Sequence, residues 1–258
     1  MSGDWPWMLK IRTFGHFEIC MDDEPPVAFS GKVQKKPLEL LKALIAFGGE
    51  NISEMRLAEA LWPDTDGDLA LSSFNTTLYR LRKLLNNDRI LTLKGNELSL
   101  DPRYCWIDAK AFERLCGEID ILAKGLTRRE QHPALEDLFE RAMALYRGHF
   151  LPVDMDQPWA TWMREYLRNR FLRMLMKAGN YWEERKLWEK ATEWYWRGLH
   201  MDHLAEQIYQ RLMVCYQEQG QGTEAVRIYQ RCRLILAANL DLVPSETTEK
   251  IYRSILPK

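Results

Sequence analysis

The sequence predicts an α+β winged helix-turn-helix domain followed by an all-α tetratricopeptide-like helical repeat domain. Three observations carry that expectation. First, in Leu69–Asn86 the residues Leu71, Phe74, Leu78, Leu81 and Leu85 recur at steps of three and four, one apolar stripe of a helix. Its opposite face holds Ser72, Ser73, Thr76, Tyr79, Arg80 and Lys83, with no acid among them. Second, Arg89–Leu93 and Glu97–Leu100 flank the turn Lys94-Gly95-Asn96 and read as a β-hairpin. Third, from Ile107 onward almost only helical periodicity is found, broken by short turns. A hydroxyl and basic helix face followed by a basic-tipped hairpin suits DNA, with the helix in the major groove and the wing on the backbone or minor groove. Taken alone, the stretch also fits a core helix with an ordinary solvated face.

Composition bounds these readings. The 258 residues suffice for two ordinary domains, and 46% hydrophobic with 28% charged residues is typical of a globular protein. No apolar run is long enough to span a bilayer, and the start has no secretory pattern. Cys20, Cys105, Cys116, Cys215 and Cys232 are scattered without a CxxC pair, which predicts reduced, mostly buried thiols in a cytoplasm. The net charge is −1, and residues 1–105 carry 13 Lys/Arg against 15 Asp/Glu, so indiscriminate coating of nucleic acid is not expected. Specific binding needs only a local basic surface. Between Arg80 and Lys94 there are five cations and one acid, Asp88.

The elements follow in order. Residues 8–30 read as three short strands around an acidic turn, Asp22-Asp23-Glu24, with Phe14, Phe17 and Phe29 as core anchors. Residues 34–47 predict a helix with Pro37 in its first turn, a stripe of Leu38, Leu41, Leu44 and Ile45, and a stop at Gly48-Gly49. Lys32, Lys35 and Lys36 stand at its start, either solvated or touching a phosphate. Asn51-Ile52 is a short extended link. Ser53 is read as the cap of a helix whose Leu57, Ala58, Leu61 and Trp62 face inward. Pro63 stops that helix, and Pro63–Gly67 forms an acidic loop before Leu69–Asn86. Asp101–Trp106 reads as a link.

Seven helices are then expected: Asp108–Lys124, Pro133–Tyr146, Pro158–Trp182, Leu187–His200, His203–Gln219, Gly222–Ala238 and Ser245–Ile255. Breaks are placed at Gly125, Arg147-Gly148, Gly179, Gly220 and Pro244. Leu212, Tyr216, Gly220, Glu224, Ala225 and Tyr229 match a tetratricopeptide unit, with Gly220 in the tight turn and Ala225 at the close approach of paired helices. Trp182, Trp188, Trp194 and Trp196 lie close together, either as an aromatic pocket or as core filling. No P-loop, GxSxG, HExxH or metal spacing occurs, and the five histidines are scattered, so neither catalysis nor a metal or cofactor is expected.

The segments LKIRTFGHFEI, LAEALWPD, LYRLRKLL, IDAKAFERL, ALYRGHFLP and the terminal DLVPSETTEKIYRSIL resemble the SARP-type activators, Streptomyces antibiotic regulatory proteins. The resemblance runs from about Leu9 to Leu256. It implies an OmpR-like winged helix-turn-helix DNA-binding domain over residues 8–105 and a bacterial transcriptional activator domain over residues 106–258. It also implies a stand-alone member or the output portion of a longer protein. Where relatives carry several arginines, Gln34-Lys35-Lys36-Pro37 stands here, and Glu97 lies near where an aromatic is common.

The function implied is sequence-specific activation of transcription, by binding promoter direct repeats and recruiting RNA polymerase. Ser72, Ser73, Thr76, Tyr79 and Arg80 are expected to face the major groove, with Arg80 reading guanine. Lys83, Arg89 and Lys94 are expected on phosphates. Asp64, Thr65 and Asp66 of the acidic loop are the expected polymerase contact. The partners are then double-stranded DNA, the sigma or alpha subunit of RNA polymerase and a second copy on tandem sites, with no membrane and a cytoplasmic, nucleoid-associated location. The alternative is a tetratricopeptide-like protein-interaction scaffold or the output module of a larger signalling protein.

Overall fold

The computed structural model describes residues 7–21, 32–124 and 132–256. The chain divides into two compact units, residues 1–111 with 150–167 and residues 112–149 with 168–258. Each is described by itself.

In the first unit, β1 (Leu9–Arg12) pairs antiparallel with β2 (Glu18–Met21), Leu9 opposite Met21. The third strand expected before residue 30, the acidic turn and Phe29 lie outside the described residues. Phe14 is fully buried as expected, whereas Phe17 is half-buried beneath the Lys42 ammonium, 4.9 Å from its ring centroid. Helix α1 (Lys32–Ala46) begins earlier than the periodicity indicated, so Pro37 lies inside it rather than in its first turn. There it removes one backbone bond to the carbonyl four residues back. Leu40, Leu41, Leu44 and Ile45 form its buried face and Leu38 is half-buried. Gly48 and Gly49, at φ +114° and +79°, end it in a conformation side chains disfavour.

Two further elements depart from expectation for one reason, long-range strand pairing. Ser53 makes no side-chain cap to α2 (Glu54–Leu61); with Ile52 it forms β3 instead, paired to β5 (Glu97–Leu100). The first amide of α2 is met by the Asn96 carbonyl at 2.9 Å, so a cap is not required. Residues 105–107 are not a link but a strand, named β6 below (Cys105–Ile107), running parallel beside β1. The first sheet therefore has the order β2-β1-β6, and the second β3-β5-β4, where β4 is Leu91–Lys94.

After β6 the chain enters α4 (Asp108–Lys124). Its first residue, Asp108, is buried with its carboxylate bonded by the Thr13 hydroxyl at 2.6 Å and the amides of Thr13, Phe14 and Ala109. Burial pushes its pKa up, and those hydrogen bonds oppose the shift. This carboxylate joins the end of β1 to the start of α4. Residues 150–167 are fastened into the same unit. Phe150 bridges to Phe14, Lys42 pairs with Asp154 at 2.8 Å, and the buried Arg164 donates to the carbonyls of Phe150 and Asp154.

The second unit is helical: the rest of α4, α5 (Pro133–Leu145), the second half of α6 (Pro158–Glu183), α7 (Trp188–Met201), α8 (Glu206–Glu218), α9 (Gly222–Leu240) and α10 (Glu246–Ile255). The expected helices are present, with their ends as expected or shifted by at most three residues. Gly125 lies outside the described residues. Gly179 is not a break; it sits inside α6, where the Tyr195 ring occupies the place a Cβ would take. Gly198 of α7 is likewise faced by Leu175. The two glycines let α6 and α7 approach closely. Gly220, at φ +73°, makes the turn between α8 and α9, and Leu212 and Ala225 are fully buried, as the repeat pattern requires. Trp182 and Trp194 are core residues at 4% exposure, and Trp196 donates to the Tyr216 hydroxyl at 3.0 Å. Trp182 and Trp194 therefore fill the core, while Trp188 and Trp196 are half-buried. All five cysteines are free thiols. Burial pushes Cys116, Cys215 and Cys232 up to about 12, so they are poor nucleophiles near neutral pH.

Candidate nucleic-acid interface

Helix α3 (Gly67–Leu85) packs on both α1 and α2. Its stripe holds as read: Phe74, Leu78, Leu81 and Leu85 are buried, joined by Ala70 and Thr77, with Leu71 half-buried. Four wholly buried large side chains bring several kcal/mol, at about 1.5–3 kcal/mol each, so the opposite face is fixed outward by the core. Ser72, Thr76, Tyr79, Arg80 and Lys83 are exposed on that face, and Ser73 is half-buried at its edge.

The two ends of α3 are set by capping. Gly67, expected in the acidic loop, is already helical, and Asp66 accepts from the Asp68 amide at 3.2 Å as N-cap. Asp64, Thr65 and Asp66 are all exposed, so Asp66 combines a surface carboxylate with a cap. Asn86 closes the other end at φ +47° in the left-handed region.

Along the exposed face, charge is segregated. Asp68 is the acid of the first turn, and Ser72, Asn75 and Thr76 are neutral. Arg80 and Lys83 follow, neither with an acidic partner among the described residues. The Lys83 ammonium lies 4.7 Å from the Tyr79 ring centroid, which holds both side chains on one patch. An open cleft of about 700 Å³ borders this end, lined by Tyr79, Arg82, Lys83, Asn86, Asn87 and Asp88. Arg82, half-buried at the edge of this cleft, has its Nε buried without a hydrogen-bond partner among the described residues.

The hairpin that follows is a two-residue type I′ turn. Gly95 and Asn96 have φ +55° and +66°, and Lys94 stands directly opposite Glu97. Lys94 therefore ends β4 rather than sitting in the turn, and it is exposed. Arg89 lies in the turn before β4, not in the strand, and is also exposed. Arg103, at the foot of the hairpin, is spoken for: it grips Asp101 with two hydrogen bonds of 3.0 and 2.6 Å, which hold the Asp101 carboxyl below its usual range. Lys36 is likewise engaged, with Glu39 at 2.8 Å and the Leu61 carbonyl at 3.0 Å. Arg80, Lys83, Arg89 and Lys94 are exposed with no acidic partner among the described residues, and the exposed Arg56 lies over the Phe47 ring at 4.2 Å.

Residues 107–256 match the family model of the bacterial transcriptional activator domain. Among solved structures, the chain is similar to EmbR of Mycobacterium tuberculosis, determined in complex with a low-affinity phosphopeptide. The TM-score is 0.69 at 18% identity, covering 96% of this chain. The chain spans 65% of the length of that EmbR chain. No curated protein matches it. The match extends over more than half of the chain, and the winged helix precedes it. The chain therefore belongs to the bacterial transcriptional activator domain family.

Proposed function

We propose that this activator binds promoter direct repeats through α3 and the β4–β5 wing, and recruits RNA polymerase through its sigma or alpha subunit. The observation that carries the reading is the outward face of α3, whose exposed cations have no acidic partner among the described residues, beside a wing that exposes Lys94. Thr76 and Arg80, with Ser72, Ser73 and Tyr79, face the major groove. Lys83, Arg89 and Lys94 meet phosphates. Residues 8–105 act as the DNA-binding module and residues 106–258 as the activating module, in the cytoplasm at the nucleoid, with two copies on tandem sites. The exposed loop Asp64, Thr65 and Asp66 faces the polymerase.

The test is selection of bound duplexes from a random pool, followed by shift assays at two salt concentrations. Arg80→Ala is expected to weaken the selected site by about 1–3 kcal/mol and relax one base. Lys94→Ala is expected to weaken all sequences alike and to lower the salt slope by about 1. Equal binding by Arg80→Ala and wild type would remove α3 from the interface. A protein-interaction scaffold is the second reading, favoured by the exposed Leu234 within α9 and Leu242 and Val243 just beyond its end. Weak, salt-insensitive DNA affinity would point to it.

A further inference from the structure

Leu69 stands out on α3. It lies in the first turn, 64% exposed, on a face that is otherwise polar but for Tyr79. A lone exposed leucine is ordinary on a protein surface. This one is placed by its helix. At 3.6 residues per turn, Leu69, Thr76 and Arg80 fall within about 40° of one another around the axis, so they share one edge of the outward face. Asn75, by contrast, lies on the other edge, with its amide turned back onto the Leu71 carbonyl at 3.1 Å. Along the edge, Leu69 and Arg80 are separated by about 16 Å at 1.5 Å per residue. At 3.4 Å per base along the duplex axis, that is at most about five base steps for a helix inclined in the groove.

We propose that Leu69 is a specificity-determining residue that packs on the C5-methyl group of a thymine, within about five base steps of the guanine read by Arg80. The inference rests on the assignment of α3 to the major groove. The chemistry is that of an apolar side chain against the one apolar group the major groove presents. Leu69 has no charge or hydrogen-bonding group to satisfy, and covering a methyl removes apolar surface from water on both partners. Thr76, between the two along the edge, offers a methyl and a hydroxyl to the intervening bases. The N-terminal half of α3 then reads A·T pairs by contact, and the C-terminal half reads guanine and phosphate by charge.

The experiment uses the full chain and the duplex selected by wild type. Each thymine is replaced in turn by deoxyuridine, which deletes only the methyl group. One position, within about five steps of the base relaxed in Arg80→Ala, is expected to weaken wild-type binding about four-fold, the worth of one buried methyl-sized group. Leu69→Ala is expected to bind thymine and deoxyuridine duplexes equally. Its thermal melt should match wild type because the side chain is exposed. The proposal is overturned if every deoxyuridine substitution is neutral to wild type. It is overturned equally if the sensitive position persists in Leu69→Ala, or if that variant loses transcription activation while keeping the deoxyuridine effect, which would assign Leu69 to a protein partner. If wild type selects no sequence, the assignment of α3 to DNA fails first, and that outcome is distinct from the others.

Discussion

The outward face of α3 and the interior of the helical unit use polar residues in opposite ways. On α3, Arg80 and Lys83 have no acidic partner among the described residues, and the hydroxyls of Ser72 and Thr76 face water. Inside the helical unit, charges are consumed. Glu183 is 8% exposed and accepts from the Tyr195 hydroxyl at 2.6 Å and from two nitrogens of Arg211, while the Cys215 thiol lies at 3.6 Å. Asp202 is 2% exposed and pairs with Arg168 at 2.7 Å. Glu206 ties α10 down through the Thr248 hydroxyl and the Ser245 amide. A polar group that is satisfied internally fixes helix register. One that is left unsatisfied at the surface is available to a partner. The same residue types thus mark packing in one unit and an open polar surface in the other, and the hydrogen-bond partner tells them apart.

The largest effect should come from breaking the buried side of that comparison. Replacing Glu183 with Ala strands the Tyr195 hydroxyl and leaves Arg211 half-buried without its counter-charge. Removing one partner of a buried pair costs about 3–5 kcal/mol; because Arg211 is a third exposed and can turn to water, the lower end is expected here. Chemical denaturation of the variant should show the loss, and the midpoint should fall with an unchanged slope if the unit remains cooperative. Loss of less than about 0.5 kcal/mol, the range of ordinary surface changes, would mean the cluster is solvated rather than structural.

Gly179→Ala sharpens the same point by sterics. In an exposed helix interior the change stabilises by about 1 kcal/mol. Here the new methyl would enter the Tyr195 ring, and that ring is fully buried with its hydroxyl held on Glu183. The ring cannot swing aside without losing that bond. Overpacking of this kind costs about 1–3 kcal/mol, so a net destabilisation is expected in the melt. A stabilised variant would show that α6 and α7 separate more freely than their packing indicates.

What was legible in the sequence was what is encoded locally. The stripe of α3 repeats every three or four residues, and Gly95-Asn96 carries the left-handed turn in two adjacent positions. Gly220 and Ala225 announced the α8–α9 pair for the same reason. Features that depend on distant partners were not legible. Three residues, Cys105–Ile107, become a strand only because β1 lies beside them, and Ser53 becomes a strand residue only because β5 does. The attachment of residues 150–167 to the first unit rests on Lys42, Phe14 and Arg164, none of which has a pattern pointing there. Gly179 read as a break because a helical glycine signals one locally; its reason is a ring sixteen positions on. The candidate residues on α3 are legible from periodicity. Arg82 stands at an intermediate angle on the wheel, and only its burial and the cleft distinguish it.

The smallest effect, and the finest division, lies in the acidic loop, where the two uses of polar residues meet. Asp66 is engaged, capping α3 through the Asp68 amide, while Asp64 has no cap to make. Removing the cap by Asp66→Ala should cost about 1 kcal/mol of stability, and Asp66→Asn, which preserves capping, a few tenths at most. Asp64→Asn should leave both the melt and DNA affinity unchanged. If the loop faces a basic patch on the polymerase, Asp64→Asn and Asp66→Asn should each reduce activation in a purified transcription assay on a bound promoter, and the pair should do so more than either alone. Full activation by the doubly substituted protein would leave Asp66 a cap and nothing more, and the activating contact would then have to be sought elsewhere in the chain.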